Sequence, residues 1–288
     1  MAIVLITGAA SGFGELTSLA FARRGDTVYA SMRNPDQEHQ LSLIAKEKSL
    51  NIHILRLDVK DEDSINEAVQ EIHRRESTLD ILVNNAGIHI PGALEDMPEA
   101  DIHNVMDTNF FGVINVCRAV LPLMREQGSG RIIMLSSVGA MIGRANDSIY
   151  CASKSALEAM SEAMRYEVAR FGIHVSVLQP GVFQTEIGNK YNVSADYPPD
   201  SPYRKLVDFR IAEVKASCER GDDPDRIAQL VLEIADAEQP RFRYPAGEQA
   251  ELFLPSLAAM SEEEREAFIR KAAKLDWWLS GDKTAPGA

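Results

Sequence analysis

Tyr150 and Lys154 stand four residues apart in a stretch with helical spacing of its apolar positions, so their side chains share one helix face. A free phenol titrates near 10 and is a poor base at neutral pH. Bringing it to about 7 takes roughly 4 kcal/mol of preference for the phenolate. One ammonium at about 4 Å supplies about that much at an effective dielectric near 20. The pair is therefore suited to moving a proton to or from a hydroxyl or carbonyl oxygen.

A second chemical feature lies at the start of the chain. Thr7-Gly8-Ala9-Ala10-Ser11-Gly12-Phe13-Gly14 follows an apolar run and opens a helical stretch. Glycines at such a turn let the backbone approach a pyrophosphate, whose charge is favoured at a helix N-terminus. The spacing is G-x-x-x-G-x-G and departs from the common G-x-G-x-x-G fingerprint. Gly8, Ser11, Gly12, Phe13 and Gly14 are the candidate contacts.

These residues need a scaffold, and the apolar pattern supplies one. Short runs alternate with longer amphipathic ones, as a parallel sheet covered by helices requires. The predicted strands are Ile3–Thr7, Thr27–Met32, Asn51–Asp58, Ile81–Asn84, Arg131–Ser136 and His174–Gln179, with a weaker last one at Arg241–Tyr244. The predicted helices are Phe13–Arg24, Asp36–Lys48, Asp61–Arg75, Thr108–Glu126 and Ile149–Phe171. The helix-breaking stretch from Tyr197 to Pro202 is followed by predicted helices at Tyr203–Cys218, Asp225–Ala237 and Ser261–Leu275. The expectation is an α/β chain: one Rossmann-like doubly wound parallel sheet flanked by helices, a single domain with a C-terminal elaboration.

Composition narrows the partners. The 288 residues carry a formal net charge of −13, which disfavours a nucleic-acid partner. No run approaches the roughly 18 apolar residues of a membrane span, and no leader pattern precedes the first strand, so a cytoplasmic protein is expected. Cys117, Cys151 and Cys218 have no C-x-x-C spacing and fit reduced thiols. The six histidines lack metal-ligand spacing, and no metal is expected.

Taken together, the motifs resemble the short-chain dehydrogenase/reductase family. The resemblance runs from Thr7-Gly8-x-x-x-Gly12-x-Gly14 through Asp58, Asn84-Asn85-Ala86-Gly87, Asn109, Ser137, Tyr150-x-x-x-Lys154 and Pro180-Gly181 to Thr185. It covers about residues 1–186 in the expected order, and the nearest flavour is that of steroid and retinol dehydrogenase-like members. It implies an oxidoreductase interconverting an alcohol and a carbonyl with NAD(P). Tyr150 would be the acid/base, with the oxidised nicotinamide adding a second positive charge beside it. Ser137, preferred over Ser136 by its interval to the tyrosine, would stabilise the substrate oxygen. Lys154 would hold the nicotinamide ribose, and Asn109 would position a water linking Lys154 to solvent. Asp58 would meet the adenine, Asn85 and Gly87 would line the cofactor cleft, and Val182 and Thr185 would hold the carboxamide.

The residue ending the second strand selects the cofactor: a carboxylate there favours NAD, an arginine NADP. Met32 takes the carboxylate's position and Arg33 follows, so NADP(H) is the preferred cofactor, with NAD also possible.

Residues 1–185 form the expected cofactor-binding and catalytic core, 186–224 a substrate lid and 225–288 a C-terminal extension. Met141, Phe183 and Tyr191, with Ser137 and Tyr150, are expected to line a pocket for a hydrophobic or aromatic alcohol, ketone or aldehyde. His89 and Cys151 need no chemical role. Two other readings compete: a cofactor-sensing regulator on the same fold, and an epimerase or dehydratase. The first has no need of Ser137, Tyr150 and Lys154 together; the second resembles T-G-x-x-G-x-x-G and usually a longer chain. A homodimer or homotetramer through the Thr108–Glu126 and Ile149–Phe171 helices is what the resemblance implies.

Overall fold

In a computed structural model the described residues are 1–35, 39–185, 191–282 and 285. Seven strands form one parallel sheet in the order β3-β2-β1-β4-β5-β6-β7. They are β1 (Ile3–Ile6), β2 (Thr27–Met32), β3 (Ile52–Arg56), β4 (Ile81–Asn84), β5 (Gly130–Leu135), β6 (Ile173–Pro180) and β7 (Arg243–Ala246). The order reverses between β1 and β4, and the crevice at the carboxyl ends of such strands is where doubly wound sheets bind ligands.

Every residue of β1, β2 and β4 is buried, as strands covered on both faces must be. One face carries α3 (Glu62–Glu76), α5 (Gly112–Gln127) and α6 (Ser148–Val168), around a core that includes Leu5, Ile72, Leu82, Val116, Ile132 and Leu157. The other carries α1 (Gly12–Arg24), α2 (Gln40–Glu47) and α8 (Asp225–Asp236), around Ile6, Phe21, Val28, Leu41, Val83 and Val231. Each such side chain contributes about 1.5–3 kcal/mol when fully buried, which is what makes the sheet's register specific.

Most predicted elements lie within two residues of their positions. Of the second predicted helix, residues 36–38 lie outside the described ones, and α2 begins at Gln40. The helix expected from Thr108 is different in kind. A helical path starts already at α4 (Glu99–Met106), passes through a π-helical segment at Asp107–Phe111, and continues as α5. The wider π turn holds an extra residue, a local rearrangement that recurs at functional sites.

The C-terminal part adds α7 (Arg204–Glu219), α9 (Glu248–Leu257), α10 (Glu262–Ala272) and α11 (Asp276–Leu279). A capping box between Ser261 and Glu264 starts α10. Trp277 of α11 meets Phe209 of α7 edge-on at 5.6 Å, and Lys274 pairs with Glu213 at 2.6 Å. The arm so anchored reaches the sheet's carboxyl edge, where Arg265 of α10 donates to the Met141 carbonyl.

Candidate active site

The glycine loop sits at the β1–α1 turn beside the strand-order reversal. Gly8 has φ +67°, and a Cβ there would lie 2.8 Å from the Ala86 Cα, so only glycine fits. Gly12, at φ +60°, faces open space. Phe13 packs edge-on against Phe183 at 5.4 Å, and Ser11, exposed, precedes α1 without capping it. Asn85 does more for this loop than line a cleft. Its Nδ2 donates to the Thr7 and Gly8 carbonyls, both at 2.9 Å, while the Thr7 hydroxyl accepts from the Asn85 and Ala86 amides at 3.1 Å. The side chain expected at the cofactor is thus occupied in tying the loop to β4.

At the other end of the crevice Met32 closes β2, buried, and pairs in register with Arg56. Arg33 is exposed beyond it. Asp58 lies next to the head of α3, its Oδ1 accepting from the Lys60 amide at 3.0 Å.

The four residues of the central motif converge. Asn109 sits in the π segment, completely buried; its Oδ1 accepts from Ile88 N at 2.8 Å, and its Nδ2 donates to Ile88 O and to Ser153 Oγ. Asn109 Oδ1 and Lys154 Nζ both border Gly87, 3.3 and 3.6 Å from where a Cβ would be. Lys154 donates to the Leu135 carbonyl at 2.7 Å, and its Nζ is 5.9 Å from the centre of the Tyr150 ring. Ser137, just past β5, accepts from the Gly139 amide at 3.0 Å and hydrogen-bonds to the Tyr150 phenol. Ser136 turns away, donating to the buried Glu158 at 2.8 Å, so the strand's alternation separates the two serines.

Burial sets the resting ionisation of this group. It pushes the Tyr150 phenol above its usual value, against the Ser137 hydrogen bond and the Arg144 charge, while Asp147 pushes it further up. Burial also draws Lys154 down to about 8, opposed by Glu158 one turn along α6. Lys154, expected from its spacing to acidify the phenol, is not the main downward influence in the folded chain; the largest are Ser137 and Arg144.

The sequence model of the short chain dehydrogenase family matches residues 2–195, well over half the chain. The chain belongs to the short-chain dehydrogenase family. It is 36% identical over 245 residues to a 3-ketodihydrosphingosine reductase of Bacteroides thetaiotaomicron, spanning 85% of this chain and 87% of the relative. Human retinol dehydrogenase 5 is 35% identical over 277 residues, 88% of this chain and 84% of its own. A short-chain dehydrogenase from Streptomyces avermitilis superposes with a TM-score of 0.78 at 30% identity, over 98% of this chain and 99% of its own.

Around this short-chain dehydrogenase's Tyr150 lies a polar cluster that sequence reasoning missed. His89 stacks on the Tyr150 ring, 3.8 Å between centres and 15° between planes. His89 Nε2 is 2.7 Å from Asp147 Oδ1, which also accepts from the Tyr191 hydroxyl at 2.6 Å. Arg144 Nε lies 3.0 Å from Asp147 Oδ2. Burial pushes the Asp147 carboxyl up, but the Arg144 charge and the hydrogen bonds from His89 and Tyr191 outweigh it and hold the carboxyl well below the usual carboxylate range. Burial lowers His89, so it is neutral at pH 7. The available signal was two opposite charges three residues apart in the loop leading to Tyr150.

The expected pocket residues divide. Met141 is on the rim, 39% exposed, under Arg265. Tyr191 is fully buried in the polar cluster, not an apolar wall. Phe183 is 3% exposed and packs in the core against Phe13, beside Gly221 and Gly247, with its backbone bridged to Asp222. Val182 is fixed by that bridge, its carbonyl accepting from Asp222 N at 3.0 Å, with half-buried Thr185 just beyond. Residues 186–190 of the expected lid lie outside the described ones.

Proposed function

We propose that the protein interconverts a hydrophobic or aromatic alcohol and its ketone or aldehyde with NADP(H). The observation that carries this reading is the convergence of Asn109, Ser137, Tyr150 and Lys154 at the carboxyl edge of the sheet, beside the glycine loop. Gly8 and Gly12 leave a cradle without side chains at the N-terminus of α1, which fits a pyrophosphate. Gly14, Asn85, Gly87, Asp58, Val182 and Thr185 are assigned to the same cofactor, with Ser11 offering it a hydroxyl. When bound, the nicotinamide accepts or supplies the hydride.

Tyr150 takes the proton from the alcohol, or gives it to the oxygen of the carbonyl. Ser137 stands on the same oxygen and stabilises the charge that develops there. Its Oγ accepts from Gly139 N, which fixes the oxygen's position. Lys154 holds the ribose and keeps a positive charge near the phenol, since its value of about 8 leaves it mostly protonated at pH 7. Asn109, fixed by Ile88 and Ser153, is the relay's link toward solvent.

Arg33 selects NADP(H): it is exposed, follows a buried Met32 where NAD enzymes of the fold carry a carboxylate, and makes no ion pair among the described residues. Residues 186–224 act as a lid, and the C-terminal arm closes the mouth through Arg265 on Met141. Exposed Phe111 and Tyr166, next to α5 and on α6, support a homodimer or homotetramer through those helices. Among the described residues no helix is long and apolar enough to cross a membrane. The test is NADPH oxidation with a panel of aromatic and alicyclic ketones, repeated with Tyr150→Phe. Turnover that disappears in the variant supports the reading, and normal turnover by the variant rejects it.

A further inference from the structure

Arg144 is a charged side chain of the Tyr150 cluster whose reach is not used up. On Asp147, Oδ1 is taken by His89 and Tyr191, while Oδ2 lies 3.0 Å from Arg144 Nε as an ion pair without a hydrogen bond. Arg144 Nε makes no hydrogen bond to a described residue, and besides Asp147 the guanidinium's polar neighbour is the soft Cys151 thiol. The side chain keeps 21% of its surface while Asp147 keeps none, as expected where Asp147 lies behind and Arg144 lines a cleft. The guanidinium is also turned to the reacting end. The position that a Cβ of Gly139 would take is 3.3 Å from Tyr150 Cε1 and 3.4 Å from both Ser137 Oγ and Arg144 Nη2. Nη2 and Ser137 Oγ are therefore no farther apart than the sum of those two distances, and they share one small volume.

The surrounding charge agrees. Lys154 is cationic nearby, Asp147 is neutralised by Arg144 itself, and Glu158 is engaged by Arg243 at 2.9 Å. An arginine paired with a carboxylate behind it, with Nη2 turned toward Ser137, suits a planar anion taken end-on. We propose that Arg144 binds a carboxylate on the substrate, which makes the substrate an oxo or hydroxy acid with an apolar remainder. The carboxylate lies a few bonds from the carbon that Ser137 and Tyr150 address. The inference rests on the oxidoreductase reading and names its substrate class.

The experiment titrates NADP⁺-loaded enzyme calorimetrically with phenyl-terminated 2-, 3- and 4-oxo acids, each paired with its methyl ester. NADPH oxidation by the same compounds is followed in parallel. At least one acid is expected to bind about a hundredfold more tightly than its ester. Arg144→Gln combined with Asp147→Asn removes both charges together and avoids leaving either buried alone. This variant is expected to bind acid and ester alike, with ester affinity within about threefold of wild type. Arg144→Lys is expected to recover part of the preference, because it restores charge without the fork. Wild-type enzyme that binds no acid better than its ester overturns the inference, as does a variant that weakens both equally. Ester turnover in that case leaves the oxidoreductase reading standing, whereas no oxidation with any compound removes both.

Discussion

Lys154→Met should abolish turnover and yet make the cofactor-free protein more stable. Burial draws the Lys154 ammonium from 10.5 to about 8. That shift is a cost of about 3 kcal/mol for carrying the charge in the fold at neutral pH. Methionine fills similar space without charge, but it leaves the Leu135 carbonyl without the 2.7 Å hydrogen bond that Lys154 gives it. Losing that bond costs about 1 kcal/mol. The net gain is about 2 kcal/mol, or an increase of about 5 °C in melting temperature for a chain this long. The pH dependence follows from the depressed value. Between about 8 and 10.5 the unfolded chain holds one more proton than the folded chain, so the wild type gains stability as pH rises through that window. The variant lacks this gain, and its advantage should be largest at pH 7 and shrink toward pH 10. Thermal unfolding of both proteins without cofactor, at pH 7 and across the window, is the assay. A variant that melts below wild type at pH 7, or an advantage that does not change with pH, would refute the reasoning.

Three further outcomes follow from the same geometry. Gly8→Ala should abolish NADPH binding in a fluorescence titration, since the added Cβ meets Ala86 Cα at 2.8 Å on a left-handed backbone. Arg33→Ala should raise the KM for NADPH at least tenfold while leaving that for NADH within twofold; equal changes would contradict the cofactor assignment. Asp147→Ala leaves Arg144 without its counter-charge and should cost about 3–5 kcal/mol in urea unfolding. Because the Asp147 value is depressed, that contribution is present above about pH 4 and disappears as pH falls further, so the gap to wild type should narrow in acid.

The sheet was legible because strands buried on both faces, such as β1 and β4, run nearly continuous in Ile, Val and Leu, and the glycine loop because few backbones other than glycine reach φ near +60°. The π segment was not. Its extra residue shifts the helical phase between Met106 and Gly112, so Glu99–Met106 does not align with the periodicity of α5. Pro255 in the last turn of α9 hid that helix in the same way. Arg144 and Asp147 carry no local pattern that sets them apart from a solvated loop pair. Their burial depends on His89, 58 residues before Asp147, and on Tyr191, 44 after it, and no local pattern contains either contact. The burial of Phe183 was equally illegible, because an aromatic residue next to a cofactor motif has the same composition whether it lines a pocket or fills a core.

The central claim is that Tyr150 moves a proton while hydride passes between a bound nicotinamide and a carbonyl carbon. Its most direct test supplies NADPH deuterated at C4 on one face and a ketone accepted by the wild type, with the product read by mass spectrometry. The wild type is expected to place one deuterium on the carbinol carbon from one of the two C4 positions only. Tyr150→Phe is expected to bind the cofactor with unchanged affinity and form less than a hundredth of that product. Deuterated product at the wild-type rate from the variant, or wild-type product without the label from either face, would contradict the account.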